Sequence, residues 1–207
     1  MQRWFLLFLP LLAALSLGIV VAKGPAWQQQ ALLQQDGVQI FARGLPVSDT
    51  QFMDQYGQPV SVAQLRGRHL LLFFGYTFCP DICPTTLMDL NRLWKQLPEA
   101  VRADWQVIMV SVDPQRDRPE SMAPYLRYFN PSFMAFTGNE AGVKVLAAEL
   151  NAIYSKVERG PDQPYLMDHS ANLVIVDRHG SYRGYIAPPH DAGRMLPLLQ
   201  AVHQALP

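Results

Sequence analysis

The chain has two cysteines, Cys79 and Cys83, both within "FFGYTFCPDICPTTLMDL", Phe73–Leu90. Paired thiols this close support a structural disulfide, a reversible dithiol–disulfide couple, or a soft metal site. The staple is the weakest reading. A disulfide stabilises mainly by restricting the unfolded chain, and a bridge enclosing only Pro80, Asp81 and Ile82 restricts it little. Pro84 suits the first turn of a helix, which places Cys83 at the helix start and Cys79 on the loop before it. Unpaired N–H groups and the positive helix end stabilise thiolates there, while Asp81 between them works mildly against ionisation. Both sulfurs are therefore chemically active, with redox and metal chemistry both open.

The surrounding pattern says what must hold them. "HLLLFFGY" (His69–Tyr76) and "WQVIMVSV" (Trp105–Val112) are continuous apolar, β-rich runs, expected of strands covered on both faces. Between them Leu87, Leu90, Leu93, Trp94 and Leu97 recur at helical spacing, and Pro98 ends the run. Strand, helix and strand joined by short links predict a right-handed βαβ unit and a parallel pair. Ligands gather beyond the carboxyl ends of such strands, which is where the cysteines fall. Met122, Tyr125, Leu126 and Phe129 predict a second helix, "FMAFTG" (Phe133–Gly138) a short strand and Glu140–Asn151 a third helix. "NLVIV" (Asn172–Val176), the turn "DRHG" and "SYRGYI" (Ser181–Ile186) predict an antiparallel hairpin, and Met195, Leu198, Leu199 and Val202 a closing helix. The order is that of an α/β, thioredoxin-like domain, a mixed central sheet flanked by helices.

Within that fold the details depart from a redox enzyme. Thioredoxin-type oxidoreductases carry Cys-x-x-Cys, usually after a Trp, and a proline directly before the strand that faces the cysteines. Here the pair is Cys-x-x-x-Cys after Phe78, and "YLMDHSANLVIV" puts Asp168-His169-Ser170 ahead of that strand, with Pro164 the nearest proline. An imidazole there would close over the two sulfurs. Two thiolates and one imidazole form a soft, three-coordinate set suited to Cu(I) and able to hold Cu(II). A structural zinc site requires a fourth ligand, and none is evident. Alone, His169 would read as a hydrogen-bonded structural histidine; only the cysteines together with the motif around it reverse that. His69, His179, His190 and His203 read as ordinary, Met167 as a packing residue, and Tyr76 and Phe78 as walls that exclude water. "CPTT" at Cys83 echoes the "CPT" of peroxiredoxins, but the Thr and Pro that motif needs upstream are here Pro80 and Tyr76.

The chain of 207 residues suits one domain plus accessories, and 17 basic residues balance 17 acidic ones with no basic block. That excludes a nucleic-acid binder, which concentrates Lys and Arg. The uncharged run Trp4–Ala22 comes close to spanning a hydrocarbon core of about 30 Å. Arg3 before it favours a cytoplasmic N-terminus, so residues 1–22 are expected to be a membrane anchor, with a cleaved signal peptide as the alternative. Residues 23–45, polar and Gln-rich, are expected to be a linker and 46–207 the folded domain. The expected setting is a bacterial inner membrane, with the domain facing the periplasm.

Three blocks, "GYTFCPDICPTTL", "SVDPQRDRPE" and "YLMDHSANLVIVD", resemble the signature blocks of the Sco/SenC family, in the family's order and over roughly Pro46–Leu206. The resemblance implies a membrane-anchored, thioredoxin-like copper protein that helps assemble the copper centres of respiratory cytochrome oxidase. It implies that Cys79, Cys83 and His169 are copper ligands, for Cu(I) and Cu(II). The implied partner is the copper-bearing oxidase subunit, with another periplasmic copper chaperone or a thioredoxin-like reductant as further ones. Delivery of copper is the leading function; the alternative is a thiol:disulfide reductase that keeps the oxidase cysteines reduced. Asp113 and Asp117 match the family's acidic loop, as candidates for contact with the ligands or with a partner. Asp113, at a strand's carboxyl end, is the stronger of the two, because "DRPE" also fits a capping box with Asp117 as N-cap and Glu120 as its reciprocal. The segment "GPDQPYLMDH" before His169 is short for the family.

Overall fold

The computed structural model describes Gln34 and residues 36–206. Strands β1 (Val38–Pro46), β2 (Phe52–Asp54), β3 (Pro59–Val60) and β4 (His69–Gly75) lead to helices α1 (Ile82–Gln96) and α2 (Glu99–Ala103) and strand β5 (Trp105–Ser111). Then come α3 (Pro119–Phe129), β6 (Met134–Thr137), α4 (Glu140–Glu149), β7 (Tyr154–Val157), β8 (Leu166–His169), β9 (Leu173–Val176), β10 (Ser181–Ile186) and α5 (Ala192–Ala205).

Every residue of β4 and β5 is buried, as their unbroken apolar runs require of strands covered on both faces. They form the parallel centre of an eight-stranded mixed sheet with the order β1-β10-β9-β4-β5-β6-β2-β3. Leu72, Phe74, Ile108 and Val110 join Val143, Leu146 and Ala147 of α4 and Val174 and Val176 of β9 in one apolar cluster. The two-residue period of a strand turns Leu71, Phe73, Val107 and Met109 to the opposite face. α1 buries Leu87, Leu90, Leu93 and Trp94 and packs against α5, which buries Met195, Leu198, Leu199 and Val202. Each such buried side chain contributes about 1.5–3 kcal/mol of transfer free energy, so the sheet is a rigid base for the loops above it.

The register of that base positions the site. Gly75 pairs with Ser111, and Val112 N–H donates to the Gly75 carbonyl at 2.9 Å. The chain therefore leaves β4 toward the cysteines and β5 toward Asp113 from adjacent points on one edge.

Two segments differ from expectation. The linker does not run to residue 45: Val38–Pro46 is a strand paired with β10, and the compact unit begins at Val38 rather than Pro46. Val38 and Ile40 do alternate inward, but a register break after Ile40 and Gln-rich flanks conceal the period. Their pairing also depends on Gly184, at φ 139, where a Cβ would lie 1.8 Å from the Gln39 carbonyl oxygen. The second is β7–β8, an antiparallel sheet of its own with Tyr154 opposite His169. β7 is mostly exposed and β8 half-buried, and neither shows the apolar alternation that marks a strand. The expected anchor Trp4–Ala22 lies outside the described residues. Among those that are described, no helix is long and apolar enough to cross a membrane.

Candidate metal centre

Beyond Gly75 the chain turns at once, with Cys79 N–H donating to the Tyr76 carbonyl at 3.2 Å. α1 opens at Ile82 with Asp81 as N-cap, but the Asp81 side chain caps nothing. The Cys79 sulfur does that work instead, accepting from the Cys83 N–H at 3.5 Å. Cys83 is 1% exposed and Cys79 half-buried. Gly75 makes room for the inner thiol, since a Cβ there would stand 2.9 Å from Cys83 Sγ and 3.0 Å from the Phe73 ring.

The third group arrives from β8. His169 Nε2 lies 3.4 Å from Cys83 Sγ, and its Nδ1 lies 3.2 Å from the Ser170 carbonyl. A carbonyl only accepts, so Nδ1 carries the proton and Nε2 presents its lone pair to the sulfurs. The Tyr76 ring meets His169 edge-on at 6.0 Å, and the Tyr76 hydroxyl accepts from Met167 N–H at 3.2 Å. The ligand atoms of Cys79, Cys83 and His169 all lie within 4.8 Å of one another. Two bonds of about 2.0–2.3 Å opened to a trigonal angle span roughly 3.5–4 Å, so the set fits a three-coordinate ion with little movement. Among the described residues, no fourth His, Cys, Asp or Glu joins the group. A cleft of about 250 Å³ opens the site to solvent between Pro80, Ile82, Leu166 and Asp168.

The two sulfurs are electrostatically unequal. A hydrogen bond from Cys83 holds the Cys79 thiol far below its ordinary range, to about 3; burial opposes this, and the Asp81 and Cys83 amides add to it. Cys83 moves the other way, first through that same hydrogen bond, then through burial and the charge on Cys79. The metal-free pair is thus one thiolate and one thiol sharing a proton between them.

The sequence profile of the SCO1/SenC family matches residues 45–204. The chain belongs to that family. A protein of Stutzerimonas stutzeri named for copper binding is 38% identical over 79% of this chain and 80% of its own length. The solution structure of apo Sco1 from Thermus thermophilus is 37% identical and superposes with a TM-score of 0.69, covering 79% of this chain and 94% of that one. ScoI of Bradyrhizobium japonicum with copper bound is 30% identical with a TM-score of 0.67, covering 75% and 98%. The thioredoxin-like fold expected from the element order is therefore the fold of this SCO1/SenC protein.

The acidic loop is part of the site's frame, in a different way from the one the sequence suggests. Asp117 is not the N-cap of α3. Arg118 is, and its N–H donates to Ser121 Oγ at 3.2 Å. Asp117 is 1% exposed and accepts from Thr77 N–H, Thr77 Oγ1 and Ser111 Oγ, so it ties the cysteine loop to the end of β5. Burial raises its carboxyl pKa, and the Ser111 and Thr77 bonds oppose that rise. Asp113, 3% exposed, accepts from Arg116 Nε and, at 2.9 Å, from the Tyr165 hydroxyl. Tyr76 walls the site as expected, but Phe78 is 55% exposed and carries the Arg116 guanidinium 4.9 Å from its ring centre. Met167 packs against the core, and His190 is buried with Nε2 bonded to the Ala171 carbonyl at 2.7 Å. Sequence reasoning missed Thr77, Ser111, Arg116 and Tyr165. The first two are spoken for by a buried carboxylate that needs donors, and Arg116 by its place three residues after Asp113 in a turn.

Proposed function

We propose that this protein binds copper through Cys79, Cys83 and His169 and hands it to the copper-bearing subunit of a respiratory cytochrome oxidase during assembly. The observation that carries this is the convergence of three soft donors with His169 Nδ1 committed to a carbonyl, leaving Nε2 for a metal. Copper is the cargo. Two thiolates and an imidazole suit Cu(I) and also hold Cu(II), and the copper-bound ScoI of B. japonicum supports the same reading. The half-buried Cys79 thiolate is the first contact for the arriving ion. Cys83 then loses its proton as its sulfur ligates, and His169 closes the set from the opposite side. Release runs in reverse, with a partner's ligands entering through the cleft beside Pro80 and Ile82. The domain works at the periplasmic face of a bacterial inner membrane, held there by Trp4–Ala22. A further periplasmic copper chaperone supplies the ion, or a thioredoxin-like reductant keeps the two cysteines reduced to receive it.

The test is His169→Ala in the full chain. It should retain the fold and bind Cu(I) through the thiolates, but lose Cu(II) affinity about 10-fold or more and change the Cu(II) absorption spectrum. His190→Ala and His203→Ala should leave both unchanged. Parent-like binding of both copper states by His169→Ala defeats the three-ligand site. One observation favours a second reading, a thiol:disulfide reductase acting on the oxidase cysteines: a low-pKa thiolate beside a protonated thiol is also an attacking and resolving pair.

A further inference from the structure

His169 stands at the end of β8, and β8 pairs with β7 alone, outside the main sheet. Nothing in the sheet's register fixes its distance from the cysteines. Met167, packed on the core with its N–H bonded to the Tyr76 hydroxyl, holds one side of β8, and a second group of contacts converges on a residue outside the three donors. Arg116 Nη1 donates to the carbonyl of Tyr165, the residue just before β8, at 3.1 Å. The same guanidinium lies 3.7 Å from the centre of the Tyr165 ring. The Tyr165 hydroxyl donates to Asp113 Oδ1 at 2.9 Å, and Asp113 Oδ2 accepts from Arg116 Nε. These contacts close a ring through Arg116, Tyr165 and Asp113. The guanidinium also reaches the rings of Phe78, at 4.9 Å, and Tyr76, at 5.7 Å, both on the cysteine loop. One side chain therefore touches both jaws of the site. It is 18% exposed, and its carboxylate partner is 3% exposed.

We propose that Arg116, together with Tyr165, is a positioning residue that clasps the β7–β8 hairpin to the cysteine loop and sets the distance from His169 to the two sulfurs. Asp113 neutralises the guanidinium, so the clasp acts through geometry rather than charge. Its planar fork bonds a carbonyl and a carboxylate while stacking on a ring, which a lysine ammonium does not reproduce. The consequence is specific to copper state. Two thiolates suffice for Cu(I), whereas Cu(II) relies on the imidazole, so a loosened hairpin weakens Cu(II) binding first. This rests on the copper reading above, and the test separates the two.

The experiment uses the full chain in detergent, metal-free and titrated with Cu(I) or Cu(II), as parent, Arg116→Lys, Tyr165→Phe and His169→Ala. In metal-free Arg116→Lys, amide exchange in Tyr154–Val157 and Leu166–His169 should quicken about 10-fold, the order expected for losing a charge-assisted bond, while β4 and β5 stay protected. Its Cu(II) affinity should fall about 10-fold, as for other residues that orient metal ligands, and its spectrum should move toward that of His169→Ala. Tyr165→Phe keeps the ring under the guanidinium and loses only the bond to Asp113, so it should change in the same direction by less. Parent-like hairpin exchange in Arg116→Lys overturns the clasp. So does equal loss of both copper states with a lower Tm, which is the signature of a general role in folding. If His169→Ala binds both copper states as the parent does, the three-ligand reading fails, and the exchange data still decide whether the clasp exists.

Discussion

Cys79 and Cys83 share a helix start yet face opposite environments, and their difference is measurable without metal. The Cys79 pKa lies well below that of an ordinary thiol, so its reactive thiolate persists as pH falls from 9 toward about 3. The rate of Cys79 alkylation by iodoacetamide in the reduced, metal-free protein should therefore stay nearly flat from pH 8 to pH 5. An unperturbed thiol slows about tenfold per pH unit over that range. Cys83, raised and buried, should remain unmodified until the protein unfolds. Mass spectrometry of a pH series reads both sites, and a Cys79 rate that tracks an ordinary thiol contradicts the shared proton. The convergence of Cys79, Cys83 and His169 is legible in the sequence because the chain has only two cysteines, close together, and the histidine stands directly before the strand that faces them. Of the two readings of Asp117, capping fails and contact beside the site holds, because a capping pattern and a buried tether look alike in one dimension. Gly75 carried no signal, since what requires it is a sulfur from a different element.

Elements were legible in proportion to how completely they are buried. β4, β5, α1 and the β9–β10 hairpin appeared in the sequence with nearly their observed bounds, because each presents a full apolar face to one core. β1 reads as linker in the sequence, and β7–β8 leaves no strand signal there. The first is an edge strand with a register break, and the second a short pair of which only Tyr154 and Met167 pack on the core. The Trp4–Ala22 segment is argued from sequence alone, from its length, its lack of charge and the Arg3 before it. Alkaline phosphatase fused to the C-terminus should be active in cells, and the mature chain should keep its apolar segment. An inactive fusion speaks against export, and a mature N-terminus at Lys23 against the anchor.

For the molecule as a whole the open choice is between carrying copper and carrying electrons, and the same two sulfurs make these exclusive. A Cys79–Cys83 disulfide leaves no thiolate for Cu(I), and a bound Cu(I) leaves no thiol to attack a substrate disulfide. A carrier needs only to keep the pair reduced and yield the ion. A reductase gives two electrons and two protons to the target disulfide in each turn, ends oxidised, and must be reduced again by another dithiol. Cys-x-x-x-Cys spacing and His169 in place of the usual proline weigh toward the metal. So does the ring's orientation, with Nδ1 against the Ser170 carbonyl and Nε2 free to ligate 3.4 Å from the buried sulfur. The copper-loaded protein should therefore transfer copper to a pre-reduced oxidase subunit without gaining a disulfide. Thiol trapping before and after mixing, with copper measured on each partner, reads both quantities. Stoichiometric appearance of the Cys79–Cys83 disulfide, with copper moving only when a third protein supplies it, would instead assign the site to electron transfer.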